Sequence, residues 1–176
     1  MINLISKLPN YILLFLIPFL FIACEQKSEP SIETSTDWVK REASLDAKDS
    51  LELGKTYLSI YSQIYSFSEH KTHNLTALVS LRNTSDQDTI FILKAEYYGT
   101  NGNSIRKYLE NPIYISPLET LEIVIDEVDV SGGTGSNFIF EWNVPRNCSE
   151  PLFEAIMSST LGQQGLSFTT QGVRIK

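Results

Sequence analysis

The chain has 176 residues, 42% of them hydrophobic, with 14 Lys and Arg against 21 Asp and Glu and a formal net charge of -7. That length holds one ordinary domain plus a targeting or linking segment, and that apolar content excludes wholesale disorder. Basic residues scattered through an acidic chain exclude nucleic acid as a main partner, and two His with two Cys leave little metal-ligand chemistry.

The first element is apolar. Residues 11–23 (YILLFLIPFLFIA) form thirteen uncharged positions, preceded by Lys7 and interrupted by Pro18. A membrane-crossing helix needs about 20 apolar residues. The shorter run behind a basic residue fits the apolar region of a secretory signal. It ends Phe21-Ile22-Ala23-Cys24, which resembles a bacterial lipobox, with a small residue just before the Cys that receives diacylglycerol. The expectation is a lipoprotein signal peptide over 1–23 and lipidation at Cys24. The chain would sit in the bacterial cell envelope, held to a membrane by its N-terminal lipid on a periplasmic or surface face. Acyl chains contribute about 0.8 kcal/mol per buried CH₂, and two or more hold stably. With Cys24 acylated, Cys148 has no disulfide partner, and its loop-like surroundings (PRNCSEP) lack a nearby His for nucleophilic use.

Residues 24–54 are expected to form a polar tether, rich in Ser, Thr, Glu, Lys and Asp. Within it, residues 37–45 suit a short helix capped by Thr36 or Asp37. From Tyr57 on, apolar residues recur with period two. Leu75, Ala77, Val79 and Leu81 form one inward set, then Phe91, Leu93, Ala95 and Tyr97, then Leu121, Ile123 and Ile125, then Phe138, Phe140, Trp142 and Val144. Tyr57, Tyr61 and Tyr65 share one face of a first strand over 58–65, opposite Leu58, Ile60 and Ile64. Shorter strands are expected at 104–109, 113–115, 153–159, 165–170 and 173–175. Turn residues separate the strands, Asn101-Gly102 being the strongest hairpin signal. This predicts an all-β domain over 55–176, an immunoglobulin-like antiparallel β-sandwich of about 7–9 strands.

Three places carry candidate chemistry. Residues 126–137 (DEVDVSGGTGSN) combine acidic residues with a Gly-rich loop, but lack the Lys of a phosphate loop and the spacing of a calcium loop. His70 and His73, with Glu69, are the only imidazole-based metal candidates, placed in a loop. Gly162-Gln163-Gln164-Gly165 offers amides and backbone at a second turn. No catalytic set emerges: there is no G-x-S-x-G elbow, no H-E-x-x-H, and no Ser-His-Asp constellation.

Three blocks taken together, TYLSIYSQIYSF near residue 60, DVSGGTGSNFIFEW at 129–142 and LGQQGLSFTTQG at 161–172, resemble an uncharacterised bacterial lipoprotein family, domain of unknown function 3124. The resemblance covers about residues 55 to 176. It carries over to Asp129, Ser131, Gly132, Gly133, Gly135, Asn137, Phe138 and Trp142, and to Gly162, Gln163, Gln164, Gly165, Ser167 and Phe168. It implies a lipid-anchored β domain and no established activity. The two blocks are open to two readings, as structural turns or as loops presenting Asp129, Ser131, Asn137, Gln163 and Gln164 to a carbohydrate, a peptide or another envelope protein. The functional expectation is a non-enzymatic ligand- or protein-binding lipoprotein without a cofactor. The competing expectations are a metal-binding module for Ca, Cu or Zn and, third, a cryptic hydrolase.

Overall fold

A computed structural model describes residues 37–45, 50–160 and 165–176. The expected signal peptide, Cys24, and the Gly162, Gln163 and Gln164 positions lie outside the described residues. Among those described, the strands are β1 (Leu51–Ile60), β2 (Gln63–Ser66), β3 (Ser68–Asn74), β4 (Thr76–Arg82), β5 (Ile90–Tyr98), β6 (Ser104–Lys107), β7 (Ile113–Ile115), β8 (Thr120–Ile125), β9 (Ser136–Pro145), β10 (Leu152–Ser159), β11 (Leu166–Gln171) and β12 (Val173–Arg174). No helix among the described residues is long and apolar enough to cross a membrane.

Two antiparallel sheets make a sandwich, as the alternation predicts. One runs β12-β1-β9-β5-β6, with β7 also on β5. The other runs β11-β10-β4-β8. The inward faces expected on β4, β8 and β9 are the observed ones, all buried. A stack of aromatic rings fills the interior, with Phe140 lying 4.2 Å from Phe153 across the two sheets and 5.3 Å from Phe138. The C-terminal strand closes one side. At Gly172 the chain leaves β11 in one sheet and enters β12 in the other, and the Gly172 N–H donates to the Phe153 carbonyl at 2.8 Å. A Cβ there would lie 2.7 Å from Thr56 Cγ2, so the crossing needs glycine.

Three expectations change. The inward phase of β5 is not constant: Ile90 and Ile92 are buried, then Ala95 and Tyr97, while Phe91 and Leu93 are half-buried. A bulge causes this. Ile92 faces Trp142 and Lys94 faces Glu141, so two residues of β5 oppose one step of β9 and the alternation flips. The first strand also breaks, β1 ending at Ile60 and β2 starting at Gln63. Finally, the domain begins before residue 55. β1 starts at Leu51, and residues 37–43 dock on the sandwich instead of joining the tether. The expected helix is a single 3-10 turn, Val39–Arg41, with the Lys40 N–H donating to Asp37 Oδ1 at 3.4 Å. Trp38 packs on the core, Arg41 pairs with Glu119 at 2.6 Å, and the Ala43 N–H donates to the Pro112 carbonyl at 2.8 Å.

Glu96 sits on the outer face of β5 yet is only 4% exposed. Burial alone would raise its pKa. Lys94, Ser104 and Tyr98 outweigh that by donating to its carboxylate, each at 2.5 Å, and hold the pKa at about 2. A carboxyl depressed in the folded state stabilises above its unfolded value of 4.5 and loses that contribution as pH falls toward 2. A shift of this size is worth about 3 kcal/mol. Urea unfolding measured from pH 7 to 2 should therefore show this loss below pH 4.5 in the wild type and a flatter profile in Glu96→Gln. Parallel profiles would refute the role given to Glu96.

Candidate functional site

The strand registers define two poles. Ile60, Ser136, Tyr98, Ile125, Ser159 and Leu166 end or begin strands at one of them. Leu51, Pro145, Ile90, Thr120 and Leu152 do so at the other. The docked segment 37–43 lies at the second, beside Glu119 and Pro112, so the chain enters the domain there. The Gly-rich loop and Gly165 lie at the opposite, far pole, together with the β2–β3 hairpin.

The Gly-rich loop is sealed onto that pole. Tyr97 is fully buried, and its hydroxyl meets Ser62 Oγ at 2.6 Å and Ser136 Oγ at 3.1 Å, while Ser136 Oγ donates to the Ile60 carbonyl at 2.9 Å. Gly132 lies over this cluster, so that a Cβ would stand 1.8 Å from the Tyr97 hydroxyl. The Gly132 carbonyl accepts from Thr100 N–H at 3.0 Å and Thr100 Oγ1 at 2.9 Å, and Thr100 Oγ1 in turn accepts from the Gly135 N–H at 2.9 Å. The Gly133 carbonyl accepts from both Ser62 and Gln63 N–H at 3.2 Å, which is what breaks β1 from β2. Gly133 itself has φ +72, a left-handed conformation that suits glycine. Of the two readings of SGGTG, this geometry carries the structural one.

Asp129 and Ser131 belong to the same device. Ser131 donates to Asp129 from Oγ at 2.5 Å and from N–H at 3.2 Å, and Arg106 donates at 2.9 Å. The Ser131 hydroxyl, then Arg106, hold the Asp129 carboxyl below its ordinary pKa. These bonds tie the loop to β6 and occupy the groups a cation would use. Asn137 is not a loop residue: it lies in β9 between Ser59 and Tyr98. A shallow cleft of about 370 Å³ remains beside this loop, lined by Gly99, Thr100, Asn101, Asn103, Ile105 and residues 131–133.

The β2–β3 hairpin meets the Gly-rich loop at its base and Gly165 at its side. Its base is held by Gly133 on one side. On the other, Ile64, Tyr65, Ser66 and His73 face Ser159, Gly165 and Leu166 across a cleft of about 290 Å³. Thus Gly165 lines a cavity, and the hairpin separates it from residues 131–135. Tyr61 at the hairpin base packs edge-on against Phe168 of β11, with ring centroids 5.7 Å apart. Beyond the cleft the tip is bare, with Tyr65 60% and Phe67 95% exposed.

Sequence reasoning missed this hairpin. His70 and His73 are not in a loop but in β3, whose residues 68–74 (SEHKTHN) lack apolar alternation because no second sheet covers them. His73 pairs with Ile64 at the cleft, whereas His70 lies beyond a register shift, exposed beside Glu69 at 3.5 Å. Among the described residues no three His, Cys, Asp or Glu gather as metal ligands. The one available signal was the period-two run through Tyr65 and Phe67 in TYLSIYSQIYSF. Cys148 sits at the entry pole, half-buried. Burial pushes its thiol pKa up, away from thiolate character.

Residues 54–175 match a family model described as Protein of unknown function (DUF3124). No curated protein and no solved structure matches the chain.

Proposed function

The chain belongs to the DUF3124 family, and from that premise we propose that it is a bacterial envelope lipoprotein, lipidated at Cys24, whose β-sandwich is a non-enzymatic binding module for another envelope protein. The binding surface in this reading is the far pole, specifically the β2–β3 hairpin and its cleft with Leu166. The observation that carries it is the contrast within one pole. The Gly-rich loop spends its polar groups on the scaffold, while the hairpin leaves Tyr65 and Phe67 exposed at the end remote from the chain's entry. A module held by one end and apolar at the other presents its contact surface to partners, and exposed aromatics are residues that such contacts use. The apolar h-region and the lipobox-like Phe21–Cys24 support the anchor.

The anchor and the surface are tested separately. Cys24→Ser is expected to abolish incorporation of labelled palmitate and to leave the chain unprocessed or released from the membrane fraction. Unchanged labelling and fractionation would reject lipidation. For the surface, a photoreactive amino acid replaces Tyr65 in one strain and Leu118 in another. Leu118 is 68% exposed at the entry pole. Irradiation of living cells should yield a discrete protein adduct from position 65 and none from position 118. Adducts from 118 alone, or from neither position, would reject the far pole as the binding surface.

A further inference from the structure

Phe67 is the most exposed large hydrophobic side chain among the described residues, at 95%, and it holds φ +64, a left-handed conformation that bulky residues rarely adopt. Ser66 and Ser68 flank it, and the Lys71 ammonium lies 5.2 Å from the centroid of its ring. Among the described residues the ring takes no part in the core. A Gly there would relieve the backbone, and either Gly or Ser would remove apolar surface from water. The tip is a convex knob, so it suits a partner with a hole and does not suit a small molecule that must itself be enclosed.

A matching hole lies on the same hairpin. The open cleft between Ile64, Tyr65, Ser66 and His73 on one side and Ser159, Gly165 and Leu166 on the other holds about 290 Å³, with more apolar than polar lining. A closed apolar cavity of roughly 150 Å³ takes up benzene, so this cleft has the volume for a phenyl ring. Tyr65 walls the hole and Phe67 is the knob, two residues apart. In a twofold arrangement any contact from knob to hole is made twice, which is the self-complementarity a symmetric dimer requires. Charge allows the approach. The chain is acidic overall, but the tip carries Glu69 against Lys71 and is balanced, so two tips meet without the repulsion that the net charge of -7 would impose elsewhere.

We propose that the far pole is a homodimer interface in which Phe67 of each copy enters the cleft walled by Tyr65 and Leu166 of the other. This names the partner for the binding surface proposed above and rests on that reading. The test uses the full-length chain in its native membrane, in a Cys148→Ser background. One tagged copy carries Phe67→Cys and a second, differently tagged copy carries Leu166→Cys. Mild oxidation should give a mixed-tag disulfide dimer several-fold above that from Phe67→Cys paired with Leu118→Cys. In parallel, the photoadduct from position 65 should have the mass of two copies, and Phe67→Ser should reduce it about tenfold or more, as for a central aromatic contact. Phe67→Ser should leave thermal unfolding and membrane fractionation intact, since the ring is outside the core. A position-65 adduct with a different protein, without the mixed disulfide, would overturn the homodimer and leave the binding surface standing. Absence of both disulfide and adduct would overturn both.

Discussion

Gly132→Ala is expected to destabilise the domain by about 3 kcal/mol or more, the upper part of the range for forcing atoms into a filled site and breaking a buried polar cluster. The reason is local. An added methyl would lie 1.8 Å from the Tyr97 hydroxyl, 2.6 Å from Ser62 Oγ and 2.7 Å from Ser136 Oγ. Tyr97 cannot retreat, because its ring is fully buried and stacked on Phe138 at 5.0 Å. Either the loop lifts, losing the Thr100 and Ser62 bonds to its carbonyls, or the hydroxyl cluster opens and leaves buried oxygens without partners. Gly165→Ala is the control, since the nearest atom to its Cβ is the Ser159 carbonyl oxygen at 3.9 Å. Urea unfolding should separate the two variants by at least about 2 kcal/mol. Equal midpoints would mean that SGGTG is not a clamp.

The second large effect is at Gly54. This residue faces Trp142 across the β1–β9 pair, and a Cβ would fall 2.1 Å from Cζ2 of the indole. Trp142 is 1% exposed, donates from Nε1 to Thr56 Oγ1 at 2.9 Å, and has the Arg174 guanidinium 5.2 Å from its ring. Gly54→Ala must displace this ring from the core. That forfeits burial and the hydrogen bond together, at about 3–5 kcal/mol, the range for losing a large aromatic. Thermal unfolding should fall accordingly, and the emission of Trp142 should shift to the red as water reaches it. A variant with native emission and stability would show that the sheet has slack at this point.

How much of this was legible in the sequence depended on what covered each element. β4, β8 and β9 bury one face under a second sheet, so Leu75 to Leu81, Leu121 to Ile125 and Phe138 to Val144 alternate in letters as they do in space. β5 hid a bulge at Leu93. One extra residue flips the phase without changing composition, and only the register against Trp142 and Glu141 exposes it. β3 was illegible because the hairpin stands clear of both sheets, and an uncovered strand has no reason to alternate. The SGGTG loop was visible as distinctive, but its role turned on the Tyr97 hydroxyl, which lies 35 residues away in sequence and is brought there only by sheet pairing. The docked Trp38 segment was hidden for the same reason. Its composition is that of a linker, and its partners Glu119 and Pro112 come from the middle of the chain.

The central claim is that one pole holds two opposite things, a loop locked into the scaffold and a hairpin tip left free for contact. Native-state amide hydrogen exchange of the Phe67→Ser chain tests this most directly. The N–H groups of Ser62, Gln63, Thr100 and Gly135, all bonded into the loop, should exchange only with global unfolding, while those of residues 66–71 should exchange orders of magnitude faster. Exchange of Thr100 and Gly135 as fast as the hairpin tip would contradict it, because the Gly-rich loop would then open independently of the fold.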